Sequence, residues 1–545
     1  MAAGTLVSTV LLHWPIVVAV ALTAYFVGNY FNRGLNRYPG PFLASITDWW
    51  RFVDVYCKRP EATHIKLHEK YGDVVRLGPN TLSFASPKVL KSIYGLNKGF
   101  VKSEFYPVQQ SVAGGRRFPS LFSTTSESFH QQLRRSVNSA FSMSTLVQYE
   151  PFVDSTTELF LEQTEKLYLK SNGKSCDFAR WLQFYAFDVI GEMTYSKRHG
   201  FLEKNEDIEG IIEYISKLFN YVAPVGQIPW LDLVFLKNPL YLMLSTYGIV
   251  DATFPVSRFA QQRMAERLTP SATKAASDLS ILPSTEPREK PVVTQPDLLS
   301  KFIQAKADRP EFMNDALVLT MAVSMAFAGS ETTAISLSAV FYYLLKNPRC
   351  MEKLLKELDD KSREGYFHDT EKGHVTWTES QGLPYLDACI KEAFRLHPAP
   401  GLPMERVVPP EGAEIGGVFV KGGTIVGCNA WVLHRRREVF GEDVEVYRPE
   451  RWLVDESKGQ DVEEKRIKEM NGTMLQFGMG ARTCIGKNIS LLEIYKLVPT
   501  FLRRFEIQLE DPSQDWKLHN AWFVRQLNFR TTFQRRDMVH PASEP

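Results

Sequence analysis

The 545-residue sequence predicts a mainly α protein with a smaller β region, carried on an N-terminal transmembrane helix. Three observations point there. Leu6 to Phe31 contains no Lys, Arg, Asp or Glu. Helical patterning dominates from about 125 to 265 and returns in a long apolar run from Asn314 to Asn347. Strand-like alternation is confined to short pieces, such as 74–77 and 81–85 around the turn Gly78-Pro79-Asn80.

The charge-free stretch 6–31 is long enough to span a bilayer at 1.5 Å per residue. His13 and Pro15 are expected to interrupt it near its start. Arg33 and Arg37 follow it and no Lys or Arg precedes it, so the positive-inside rule puts the N-terminus outside the cytosol and the bulk of the chain inside. A cleaved signal peptide fits less well, because the run is too long, lacks a basic start and is followed by no clear small-residue cleavage site. In this orientation the sequons at Asn471 and Asn488 stay unused. Tyr38-Pro39-Gly40-Pro41 closes a hinge segment, 32–41, ahead of the main domain, 42–545.

Length alone allows two or three domains. A net charge of +2, from 64 basic and 62 acidic residues, gives no pull toward nucleic acid. Cys57, Cys176, Cys350, Cys389, Cys428 and Cys484 form no disulfide framework, which suits a reducing compartment. Residues 269–296, with five prolines, read as a surface loop or a linker.

The run from Asn314, a helix N-cap residue, to Asn347 before Pro348 makes about 50 Å of helix. Between Asp315 and Lys346 its only charge is Glu331. It reads either as a second membrane span or as a core helix with polar chemistry at its midpoint, Ala328-Gly329-Ser330-Glu331-Thr332-Thr333. A lipid-facing Glu is costly, which favours the core.

Near the C-terminus stands Phe477-Gly478-Met479-Gly480-Ala481-Arg482-Thr483-Cys484-Ile485-Gly486. An apolar run, Ile485 to Phe505, follows and reads as a helix, so Cys484 lies at a helix N-terminus. Unpaired N–H groups and the positive dipole end there favour a thiolate, a soft ligand for iron. Gly478, Gly480 and Gly486 let the backbone approach a flat cofactor. Phe477 can cover the sulfur, and Arg482 can reach an anionic group. The competing readings are a buried structural cysteine in a glycine turn, and zinc, which lacks a second Cys or His at ligand spacing nearby.

The spacing Phe-x-x-Gly-x-Arg-x-Cys-x-Gly resembles the haem-binding loop of the cytochrome P450 superfamily, the haem-thiolate monooxygenases. Average residue usage would produce it in about one chain in ten thousand. The resemblance implies the single-domain cytochrome P450 fold, with 269–296 an inter-helix loop, and haem b with Cys484 as axial thiolate. It makes Ala328–Thr333 the oxygen-activation motif. There Ala328 and Gly329 leave room for haem and dioxygen, while Thr332 bonds back to the carbonyl four residues earlier and loosens the helix. Thr332 and Glu331 then deliver protons. Glu392 and Arg395, in Leu386–Pro398, with Arg451 in Tyr447–Trp452, are similar to the family's Glu-Arg-Arg triad. Glu445/Arg448 and Glu463/Arg466 share the Glu-x-x-Arg spacing and are expected to be solvated pairs.

The same match makes Arg482, Arg134, His130 and Arg406 the haem propionate contacts. His130 departs from the Trp that many members carry, and a surface histidine is its plainer reading. Arg436, where relatives often have Asp, has no explanation at this level. The implied partners are O2, an apolar small-molecule substrate, a membrane and an NADPH-dependent flavoprotein reductase docking on the cysteine side. No Gly-x-Gly-x-x-Gly follows a strand, so the reductase is expected on a separate chain. The implied location is the endoplasmic reticulum membrane, single-pass, with the catalytic domain cytosolic. Phe129–Ser142 and Asn429–Leu453 look most like fungal secondary-metabolism members of the pisatin demethylase branch.

By position, the substrate walls hold Phe105, Tyr106, Phe118, Phe122, Pro400, Leu402, Trp522 and Phe523, which suits a bulky apolar ligand. Two alternatives to a monooxygenase stand beside it. One is a haem-thiolate isomerase or dehydratase, which the Glu331–Thr332 pair argues against. The other is a non-enzymatic haem- or lipid-binding membrane protein.

Overall fold

In the computed structural model a single helix, α1 (Ala2–Phe31), opens the chain, with residues 13–28 exposed. Described are residues 2–169, 175–267, 297–369, 371–537 and 539, with side chains from His13 onward. The proline-rich stretch 269–296 lies outside the described residues. α1 runs through Pro15 rather than breaking there. Proline removes one ladder hydrogen bond, and a long apolar helix tolerates that loss.

The segment after α1 is fastened to the body of the protein. Leu35 is buried, and Arg37 donates to the Phe419 carbonyl at 2.7 Å. β1 (Val74–Gly78) supplies Arg76, whose buried guanidinium donates to the carbonyls of Tyr30 at 2.8 Å and Asn29 at 2.7 Å. These are carbonyls that the end of α1 leaves without helical partners. Arg76 N also donates to the Pro39 carbonyl at 2.8 Å.

β1 pairs antiparallel with β2 (Thr81–Phe84), as the alternation around Gly78-Pro79-Asn80 predicts. β3 (Val101–Lys102) lies at the far edge of the same sheet. A helical body follows: α2 (Glu127–Val137), α3 (Glu150–Thr164), α4 (Phe178–Tyr195) and α5 (Asp315–Lys346). Asn314 caps α5 by accepting from Leu317 N at 3.0 Å. Of its most apolar window 67% is buried, so α5 is a core helix and not a second span.

α6 (Pro384–Leu396) precedes β4 (Arg406–Val407) and β5 (Ile425–Gly427), which complete a five-stranded sheet in the order β1-β2-β5-β4-β3. α7 (Lys487–Arg504) follows the cysteine loop. Phe178 of α4, Phe341 of α5 and Phe501 of α7 meet with ring centroids 5.1 to 5.6 Å apart, locking three helices into one core. The chain ends in β6 (Phe505–Leu509), the hairpin β7 (Lys517–Ala521) and β8 (Phe523–Leu527), and β9 (Arg530–Arg535), which pairs with β6.

Candidate active site

The cysteine loop closes on itself where Cys484 N donates to the Phe477 carbonyl at 2.8 Å. Gly480 has φ +69°, and a Cβ there would sit 1.8 Å from the Tyr94 carbonyl oxygen, so no other residue fits. Gly486 caps α7, and backbone N–H groups of Gly486 and Lys487 bond to the Cys484 sulfur. These donors are the ones expected at a helix start, yet they do not prevail. Burial pushes the thiol up; the two N–H groups, Arg134 and Lys487 offset only part of it. A bound metal cation is what deprotonates a coordinating thiol outright.

Cys484 is desolvated by the surrounding protein and still exposes surface, so it borders an internal space. The midpoint of α5 does likewise. Ala328 is exposed and Thr332 half-buried, although Ser330, Glu331 and Thr333 between and beside them are buried.

A cationic rim lies near the sulfur. Lys102 of β3 and Arg406 of β4 are direct partners across antiparallel strands, and both are buried. Like charges placed opposite are destabilising unless an anion intervenes. Burial, then Arg406 and Arg482, drive the Lys102 amine well below its ordinary range. His130 is buried rather than on the surface. Burial and then Arg482 push it down to about 3, so it is neutral. Glu405, the nearest buried acid in sequence, is already taken by Arg51 and by Ser103 Oγ at 2.6 Å. A rim this rich in buried positive charge fits a ligand with two carboxylates, as haem b has.

Two of the expected propionate donors also have protein partners. Arg482 donates to Glu127 from Nη2 at 2.6 Å and Nε at 3.1 Å. Arg134 donates to the carbonyls of Thr483 at 2.6 Å and Ala481 at 3.2 Å, pinning α2 to the cysteine loop. A buried guanidinium has five donors and takes whatever acceptors surround it.

On the other side, Thr332 Oγ1 donates to the Ala328 carbonyl at 2.8 Å, as its spacing predicts. The helix nevertheless runs unbroken, so this bond does not loosen it. Nor does Gly329 make room for a cofactor. A Cβ there would lie 2.9 Å from Ile190 of α4, so the missing side chain lets two helices pack closely. Glu331 is buried, and burial raises its carboxyl against the pull of Arg525. Arg525 of β8 lies 3.3 Å from Oε1, and Oε2 has no hydrogen-bond partner. Arg525 itself is partly exposed.

Behind the cysteine loop, Glu392 accepts from Arg395 at 2.8 and 2.9 Å, from Arg451 and Trp452 at 2.9 Å each, and from Arg448 N at 3.1 Å. Burial alone would raise this carboxyl; Arg395 and Arg451 hold it below its usual range. The two comparison pairs behave differently from expectation. Glu445 bonds Arg435 instead of Arg448, which turns to Asp443. Glu463 does bond Arg466, at 2.5 Å, but is enclosed rather than solvated. Arg436 bridges Asp73 at 2.8 Å and Glu438 at 2.6 Å, tying its segment to the residue before β1.

The aromatic wall assembles from distant pieces. Trp522, at φ +83° on the tip of the β7–β8 hairpin, meets Phe105 at 4.9 Å and Phe122 at 5.9 Å between centroids. Tyr106 joins Phe122 at 5.4 Å, and Phe523 packs on Phe219 at 5.1 Å. Lys102, Glu127 and Arg525 carry no sequence signal of their own; strand register and helix packing bring them here.

Comparison with known proteins agrees with this geometry. The family model described as Cytochrome P450 matches residues 49–528. The cytochrome P450 monooxygenase cicH of Emericella nidulans is 41% identical over 527 residues, 96% of this chain and 99% of that protein. A cytochrome P450 monooxygenase of Aspergillus terreus is 40% identical over 495 residues, 90% of this chain and 95% of that protein. Cytochrome P450 monooxygenase asR2 of Sarocladium schorii is 36% identical over 503 residues, 92% and 93% of the two chains. Members of the family bind haem b through a cysteine thiolate. With a matching fold, an accessible cysteine in the loop and a rim suited to a dicarboxylate, the chain belongs to the cytochrome P450 family of haem monooxygenases.

Proposed function

We propose that Cys484 would hold haem b through its thiolate and that the protein inserts one oxygen atom from O2 into a bulky, largely apolar small molecule, as a step of fungal secondary-metabolite biosynthesis. The carrying observation is a cysteine sulfur that is desolvated yet keeps accessible surface, near the buried basic pair Lys102 and Arg406. Held through Cys484, haem supplies an electron-rich centre that favours O–O cleavage. Lys102, Arg406 and Arg482 would hold its carboxylates, and Phe477, 5.7 Å from Phe394, covers the loop. The Thr332 hydroxyl, whose own proton bonds the Ala328 carbonyl, would accept a hydrogen bond from a water that holds the proton to be delivered. Glu331, whose carboxyl burial keeps prone to protonation, resupplies it, and Arg525 orients that carboxyl toward the surface. The wall of Phe105, Tyr106, Phe122 and Trp522 excludes water and orients the substrate. Glu392, Arg395 and Arg451 fix the scaffold behind the haem.

Electrons come from an NADPH-dependent flavoprotein reductase on a separate chain. Residues 6–31 anchor the protein in the endoplasmic reticulum membrane and 32–41 join them to the catalytic domain, 42–545. The exposed side chains of Phe42, Trp49, Trp230, Phe235 and Tyr247 support contact with a lipid surface. The test is spectral and kinetic. Reduced, carbon-monoxide-bound protein is expected to show the red shift of thiolate ligation, lost in Cys484→Ser. Turnover is expected to require NADPH and reductase, whereas an isomerase or dehydratase would need neither. Thr332→Ala is expected to release peroxide in place of product; unchanged coupling would remove its assigned role.

A further inference from the structure

A row of small and hydroxyl-bearing residues runs along α5. Thr320, Ser324, Ala328 and Thr332 stand four apart, on one ridge of the helix. Each hydroxyl donates to the carbonyl one turn back: Thr320 to Ala316 at 2.8 Å, Ser324 to Thr320 at 2.7 Å and Thr332 to Ala328 at 2.8 Å. Their protons are engaged, and their lone pairs are left facing outward from the helix. Ser324, Ala328 and Thr332 keep accessible surface, while Met325, Ala326, Ser330 and Glu331 beside them are buried.

Away from Thr332, the row ends in a cavity of about 40 Å³, lined among others by Thr320, Ser324, Phe327, Phe118, Phe254 and Gln109. That volume takes a functional group or a water or two, not a bulky molecule. Gln109 is the anomaly. Its Nε2 and Oε1 are both shut off from solvent, and neither has a hydrogen-bond partner. Leaving a buried carboxamide unpaired on both atoms is costly. Among the described residues no charged side chain lines the cavity, so a neutral partner suits it.

We infer that this cavity recognises a neutral group that donates and accepts side by side, at the end of the substrate remote from the oxidised carbon. A carboxamide, an un-ionised carboxylic acid or a ring hydroxyl next to a carbonyl has that chemistry. The inference rests on the monooxygenase reading and narrows its substrate from an apolar molecule to one with a single polar end. Eight residues separate Ser324 from Thr332, so the polar end and the reacting carbon lie on the order of 12 Å apart.

The probes are 4-hexylbenzamide and 4-hexyltoluene, matched in length and differing in the end group. Each is titrated into the holoenzyme and read by its spin-state absorbance shift. The parent is expected to bind the amide about tenfold more tightly than the toluene, the scale of one or two buried hydrogen bonds. Gln109→Leu is expected to abolish that ratio by weakening the amide alone. Gln109→Met, closer in shape, is the second variant if Gln109→Leu loses haem. A parent with no amide preference, including one that shifts with neither probe, overturns the inference, as does a preference that survives both substitutions. Water alone in the cavity would give the first of these results. The carbon-monoxide spectrum is recorded on the same samples. A normal thiolate signature without amide preference counts against this pocket only, and a missing signature counts against the haem-thiolate reading itself.

Discussion

Lys102 and Arg406 oppose each other as direct cross-strand partners on β3 and β4, two basic side chains both buried. Such a pair raises the energy of the sheet unless a bound anion offsets it. Lys102→Met is therefore expected to loosen the grip on haem. Loss of one charge-assisted hydrogen bond is worth about 1.5–3 kcal/mol, or roughly tenfold or more in retention. Transfer of haem to an excess of a competing haem-binding protein measures it. An unchanged transfer rate would dissociate Lys102 from the propionates.

Glu392 accepts five hydrogen bonds, two from Arg395 of its own helix and three from the segment 448–452, and removing it strands Arg395 and Arg451 in the interior. Breaking a buried pair in this way costs about 3–5 kcal/mol. Glu392→Leu should fall to a low fraction of haem-loaded protein and a lower denaturation midpoint. Glu445→Leu, which frees only the surface side of Arg435, should change the midpoint little.

Gly329 faces Ile190, so its substitution should act through packing. Gly329→Val is expected to cost about 1–3 kcal/mol by overfilling the α4–α5 contact. Ile190→Ala in the same chain should recover part of that loss. Strict additivity of the two changes in thermal denaturation would place Gly329 against something other than Ile190.

His374 lies between two carboxylates of α3, 2.8 Å from Glu158 and 3.6 Å from Asp154. Burial pulls its ring down, but the two acids bring it up to about 9, and Glu158, hydrogen-bonded to it, is held at about 2. These values describe one shared interaction. The histidine's folded value lies above its ordinary 6.5, so its contribution is complete below that pH and fades as pH rises through 9. His374→Gln should lower stability by at most about 3 kcal/mol near pH 6. The gap from the parent should close toward pH 10 in denaturant titrations run across that range.

The parts of the site that were legible are local in the chain. The cysteine loop's glycines, the Asn314 cap and the Thr332 back-bond each depend on residues a few positions apart. Of the cationic rim, Arg406, Arg482 and His130 were named through the family resemblance, but Lys102 was not, because it meets Arg406 only through strand register, and Arg482 meets Glu127 only through the placement of α2. Glu-x-x-Arg spacing proved ambiguous for the same reason. At 392 it marks a buried network, at 463 an enclosed pair, and at 445 no pair at all. Gly329 was visible as a gap, but the neighbour that fills a gap is set by tertiary packing.

Arg76 clasps the last carbonyls of α1, which makes Asn29 and Tyr30 part of the folded body. A water-soluble version trimmed at Pro39 would strip that guanidinium of two acceptors and leave Leu35's socket empty. Trimming upstream of Asn29 keeps both, so the natural place to cut lies within the apolar helix and not at the proline–glycine run that looks like the seam.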